Sequence, residues 1–319
     1  MTICKKRSHH GVQLGTIGAL LALGLLWAAG PLRSELLPVQ LSATLPRLAA
    51  QALPLTLLAI ATGAAALRRK ANLPCGRQLR SAVWIGLGLF TAPALLVHLS
   101  APWISRLAQT ALFTLVPVFS VVLEPYLGQT AARPVPGSLP TALLTVLGAL
   151  LVFPVISPGS IETASAIAAS ILAAGCIAAA NCYAVAVYQN FGHPSAAPIT
   201  AVAASVGALS LGIASLLLER PALKSTAFAP ELLWAAAIEL PALLLLFWLM
   251  QRLSAVRIAT RFVLGPLLAV PLGALLVQSR LASRTWLGLL AMAAGAAYLL
   301  IAPEAAEEPA TLLGGSPEA

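Results

Sequence analysis

Aspartate is absent from this chain of 319 residues, and its ten acidic residues are all glutamate. That removes the aspartate-rich loops that bind calcium and most phosphoryl-transfer machinery. Charge is scarce altogether, at 9% of residues, against about 25% in a soluble domain. So little charge cannot cover a water-soluble globule. Cys4, Cys75, Cys176 and Cys182 have no CxxC spacing, and no disulfide framework is implied. His9, His10, His98 and His193 form no HExxH pair, so an intramembrane metalloprotease is excluded. No GxSxG-type serine site, repeated selectivity filter or charged ring is present. The chain is read as a non-enzyme with no cofactor and no metal.

What remains is apolar. Hydrophobic residues make up 59% and the mean hydropathy is +0.92. The apolar runs are long, two-sided and rich in Ala and Leu, both strong helix formers. A transmembrane barrel would alternate instead. The fold class is therefore an all-α polytopic membrane protein, its partner the lipid bilayer. Ten spans are expected, at 12–30, 41–66, 81–99, 107–127, 139–156, 163–187, 196–218, 232–250, 258–278 and 284–302. Pro31, Arg33, Glu35 and Pro38 interrupt the chain between the first two. The leader MTICKKRSHH resembles a signal peptide but is read as the start of a retained first helix. The acidic stretch 303–319 is read as a disordered cytoplasmic tail.

Basic residues set the expected orientation. With the N-terminus inside, Lys5, Lys6, Arg7, Arg68, Arg69, Lys70, Arg77, Arg80, Arg133, Arg252 and Arg257 lie on the cytoplasmic side. Arg33, Arg106, Arg220, Lys224, Arg280 and Arg284 lie outside, eleven against six. The net charge of +9 is thus a topology signal rather than a nucleic-acid-binding array. Both termini are expected in the cytoplasm and the protein in the plasma (inner) membrane.

An internal repeat is visible. TALFTLVPVFSVVLEPYLGQT (110–130) lies over ATRFVLGPLLAVPLGALLVQS (259–279), matching Pro117 with Pro266 and Gln129 with Gln278. LGALL at 147–151 resembles AGAAY at 294–298. The chain reads as two halves, 12–156 and 163–302, of five spans each. An odd number of spans per half gives the halves opposite orientation, as in secondary carriers.

These segments resemble the drug/metabolite transporter superfamily, specifically its EamA-type ten-helix permeases. The resemblance lies in TALFTLVPVFSVVLEPYLGQ and, more loosely, in ATRFVLGPLLAVPLGALLVQS. LLWAAG at 25–30, ATLPRL with Arg47, and LSAVRIATRFVLGPLLA at 253–269 carry the rest. The glutamate that the family places after Leu-Gly is Gln129 here, and Gln278 in the second copy. The resemblance implies two inverted EamA-like bundles around a cavity reached alternately from each side. It implies a transporter, most simply an exporter, of a small metabolite, amino acid or amphiphilic compound. A lipid or amphiphile translocator, or a non-transporting scaffold of the same fold, is the alternative.

Four ionisable residues fall inside predicted spans. Depth along the helices suggests an outer pair, Arg47 with Glu239, and an inner pair, Glu124 with Arg261. Interfacial snorkelling is the simpler explanation for the inner two. Glu239 is the leading candidate for binding substrate or coupling protons, and His98 is a second titratable group. Trp27, Trp84, Asn181, Tyr183 and Tyr188 are candidate cavity residues. Trp234 and Trp248 read as an aromatic belt at the interface. Pro117, Pro241 and Pro266 are candidate gating kinks, since each removes a backbone donor.

Overall fold

The computed structural model describes residues 9–33, 45–127, 137–153, 159–191, 193–219 and 228–302. Several sequence expectations lie outside them: Cys4, Lys5, Lys6, Arg7, Glu35, Pro38, Gln129, Arg133, Arg220, Lys224 and the tail 303–319. Among the described residues there is no strand.

Eight helices are long and apolar enough to cross a membrane. They are α2 (Arg47–Arg68), α3 (Arg77–Ser100), α4 (Arg106–Leu127), α6 (Ile161–Phe191), α7 (His193–Leu218), α8 (Phe228–Met250), α9 (Ala255–Leu276) and α10 (Ser283–Ile301). Two others have shorter apolar stretches: α1 (His9–Ala29) over Gly15–Ala29, and α5 over Ser138–Val152. Fifteen residues rise about 22 Å, against roughly 30 Å of hydrocarbon. The expected starts of α2 and α3 also shift. Pro46, in an extended conformation, precedes α2, and Gly76, at φ 54°, precedes α3.

Packing follows a simple scheme. α2 lies along α7 and α5 along α10. α6 packs on α3 and α4, while α1 packs on α8 and α9. α3 reaches α7, and α8 reaches α2. Small residues permit the closest of these approaches. A Cβ on Gly148 of α5 would stand 2.7 Å from the Gly288 carbonyl oxygen of α10. One on Gly288 would stand 2.6 Å from the Gly148 oxygen. Gly295 meets Thr145 in the same crossing. Gly148→Leu should therefore force the pair apart and cost about 1–3 kcal/mol. Gly175→Leu, with open space around its position, should cost far less. Melting of the two variants in detergent compares them directly; equal melting temperatures would contradict the packing.

Two helices are interrupted in the same way. α3 contains a π turn at Leu87–Thr91, and α8 contains one at Ala235–Glu239. In each, the residue after the turn bonds five residues back, Ala92 to Leu87 and Leu240 to Ala235. Each is followed at once by a proline, Pro93 or Pro241. The ring would clash with the carbonyl four residues earlier. Widening the preceding turn relieves that clash and keeps the helix running. Thr91 also bonds Ser210 of α7 through its hydroxyl, at 2.5 Å.

Helix ends account for further expected residues. Gln278 adopts φ 53° and ends α9, with Ser279 N–H donating to the Ala274 carbonyl at 2.9 Å. It is thus a left-handed helix cap, where glycine is more usual.

Candidate functional site

Cavities lie beside a hydrophobic core to which all ten helices contribute. The first, of about 360 Å³, is bounded by residues of α1, α2, α3, α4, α6, α7 and α8. Both π-turn segments line it: Leu89, Phe90 and Pro93 from α3, Ile238 and Glu239 from α8. Glu239 is half-buried and lines this cavity. Trp234 is buried, 8% exposed, and lines the same cavity. It is not part of a lipid-facing aromatic belt, contrary to expectation. Five residues apart on a regular α-helix lie about 140° apart around the axis. The π turn between Trp234 and Glu239 turns both onto one face.

The second cavity, of about 460 Å³, runs along α9 from Arg261 to Ser279 and Leu281. Pro266 and Gly273 lie on its α9 wall. Trp27 and Phe113 line both cavities. Phe262 stands between them, 5.4 Å from the Trp27 ring and 6.1 Å from the Phe113 ring. These three aromatics form a septum.

Arg261 is only 1% exposed. One terminal nitrogen donates to Asn181 Oδ1 at 3.2 Å, and the other reaches the Ile258 carbonyl at 3.5 Å. Its guanidinium lies 4.7 Å from the centres of both the Trp27 and Phe262 rings. Among the described residues no carboxylate lies within ion-pair distance of it. The expected inner pair is therefore corrected. Glu124 instead accepts the Ala255 N–H at 3.0 Å, capping the start of α9 from α4.

The expected outer pair is corrected too. Arg47 is half-buried at the start of α2, with one nitrogen 3.5 Å from the Val97 carbonyl. Its charged neighbours are Arg106 and Glu219 rather than Glu239. Glu219 was not singled out by the sequence, where it follows Leu-Leu-Leu and precedes Arg220 as if at a loop. It is buried at the end of α7 and accepts from Leu48 N–H at 3.0 Å and Ala49 N–H at 3.3 Å. Ser215 donates to it at 2.7 Å, and His98 Nδ1 lies 3.6 Å away. A carboxylate at a helix N-terminus satisfies donors that have no partner within the helix. Glu219→Ala should cost about 1–3 kcal/mol by leaving them unpaired, with Glu219→Gln intermediate. Chemical denaturation of the purified protein measures this, and an unchanged midpoint in the alanine variant would contradict the cap.

The other expected residues are dispersed. Tyr188 is fully buried and bonds Thr200 at 2.8 Å, a structural contact between α6 and α7. Tyr183 bonds Ser81 at 2.8 Å and lines a separate crevice with Trp84, Arg77 and Arg80. Trp84 is 56% exposed and does not reach either central cavity. Pro117 is buried in α4, and Pro241 is exposed beside its π turn. Arg33 pairs with Glu231 at 2.8 Å and covers the Trp234 ring. Arg252 lies over Trp248 at 4.1 Å.

No protein-family model matches the chain, and no curated protein matches it. Solved structures do match. One described as "Crystal structure of protein" aligns over 90% of this chain and 98% of its own, at 16% identity and a TM-score of 0.69. At that identity the likeness is one of fold.

Proposed function

We propose that the chain is a secondary carrier of the drug/metabolite transporter type. It moves a small metabolite, amino acid or amphiphilic compound by alternating access. The supporting observation is a membrane-type bundle holding two cavities joined at an aromatic septum, with Glu239 on one side and Arg261 on the other. A scaffold has no need of buried charges facing empty space, which are costly in a bilayer.

The same reading takes ten spans in two inverted five-helix repeats, 12–156 and 163–302. The contact scheme supports it, because exchanging each helix with the one five further on turns the packing of α6 on α3 and α4 into that of α1 on α8 and α9, and α3 on α7 into α8 on α2. The paired π turns before Pro93 and Pro241 recur at a constant spacing. The Gly148–Gly288 crossing is matched by Gly295 against Thr141 and Thr145. In this reading α1 and α5, whose apolar stretches are short, span a locally thinned bilayer. The protein lies in the plasma membrane with both ends in the cytoplasm, and the basic stretch 67–80 faces inward.

The test is a flux screen in proteoliposomes, with and without a pH gradient. Substrate-dependent flux above empty vesicles is expected. Its absence across metabolites, amino acids and amphiphiles would leave the scaffold reading in place.

A further inference from the structure

Arg261 poses a chemical question that the fold does not answer. It is buried, its Nε finds no acceptor, and each terminal nitrogen carries a second hydrogen. Asn181, its one side-chain partner, is 0% exposed and leaves Nδ2 without an acceptor. Ser120 of α4 is a third buried group lacking a partner, and its backbone carbonyl lies 3.9 Å from the Cys182 thiol, one residue from Asn181. Buried polar groups normally find partners, so such orphans need an explanation. All of these can donate hydrogen bonds, and Arg261 opens onto the cavity along α9.

The cavity limits what can pair with these donors. Its other lining residues, among those described, include no lysine, second arginine or carboxylate. A phosphate would carry more negative charge than one guanidinium balances. A cation would be repelled. A single carboxylate matches in charge and planar geometry, and the guanidinium binds it through a fork of N–H groups. The remaining wall, with Trp27, Phe113, Pro266 and Ala269, suits an apolar body.

We propose that Arg261, held in place by Asn181, is the receptor for the carboxylate of a small organic acid whose apolar body lies along α9. The consequence of binding, transport, rests on the carrier reading above; the binding itself does not.

Four probes of one branched skeleton test it by thermal shift on the full-length protein in detergent. They are 4-methylpentanoate, leucine, 4-methylpentanamide and 3-methylbutylamine. The two carboxylates should raise the melting temperature saturably at millimolar concentration, and the amide and amine should not. Arg261→Gln should abolish the shift. Arg261→Lys should retain the charge and weaken binding about tenfold, the loss of one charge-assisted hydrogen bond. Arg80→Gln, outside both central cavities, should leave it unchanged. A shift with the amine or amide, none with either carboxylate, or one that survives Arg261→Gln would overturn the proposal. Carboxylate binding without flux in vesicles would uphold the receptor and sink the carrier. Flux of cationic amines without carboxylate binding would do the reverse.

Discussion

Arg261→Gln should abolish carboxylate transport and at the same time raise the melting temperature. The two effects share one cause. Burying a guanidinium costs several kcal/mol. Here it is offset by one good hydrogen bond to Asn181 and by stacking on Trp27 and Phe262. The stacking contributes about 2 kcal/mol at most, and the charge-assisted bond about 1.5–3 kcal/mol. The bond to the Ile258 carbonyl is stretched to 3.5 Å, and Nε has no acceptor at all. Glutamine carries no charge and can still meet Asn181. A gain of about 1 kcal/mol is expected, or roughly 2–4 °C. The substrate loses a desolvated charge pair worth about 2–5 kcal/mol, so its binding should weaken at least ~30-fold. Binding and melting measured on the same preparations report both. A variant that melts well below the parent would mean that Arg261 holds the fold together.

Glu239→Gln should impair transport severely while leaving expression and melting close to the parent. The amide keeps the shape of the carboxylate and still offers an oxygen that accepts hydrogen bonds. Among the described residues no arginine pairs with Glu239 directly, so neutralising it should orphan no partner among them. Stability loss repaired by a second change at Arg47, expected if those two residues were paired, should not occur. The form of the transport defect identifies the role. Loss of uphill movement with exchange intact marks a proton-coupling carboxylate. Weakened binding of leucine with 4-methylpentanoate unaffected marks an amine partner. Normal uphill transport of both compounds would remove Glu239 from the mechanism.

Apolar run length made the helices readable in the sequence, and composition made the membrane readable. Hydropathy counts residues along one dimension. Depth along a helix follows from it, because each residue rises a fixed distance. Rotation around the helix axis does not follow so directly, and that is where the sequence expectations failed. Arg47 and Glu239 were matched by depth, yet Arg47 lies near Glu219 and Glu239 faces the first cavity. Glu124 and Arg261 were matched by depth, yet they face different neighbours. The π turn in α8 adds to the problem, since it rotates Glu239 relative to Trp234 and takes both off the regular periodicity. Pro93 and Pro241 signal those turns, but only Pro241 was singled out. Glu219 escaped because the α2 N–H groups it caps are backbone donors that no side-chain pattern marks, and His98 reaches it only through packing. Trp27 and Asn181 were singled out as cavity candidates and Arg261 as half of a charge pair, each on its own. That they meet depends on α1, α6 and α9 converging, which packing decides.

Exchange measures carrier action more directly than net flux does. Vesicles loaded with labelled 4-methylpentanoate, or with leucine if that binds more tightly, are diluted into buffer with or without the same compound unlabelled. In a carrier the loaded protein reorients faster than the empty one, so the unlabelled compound outside should accelerate loss of label, and Arg261→Gln should show no acceleration. Label loss that is indifferent to the external compound, or identical in vesicles without protein, would contradict alternating access around Arg261.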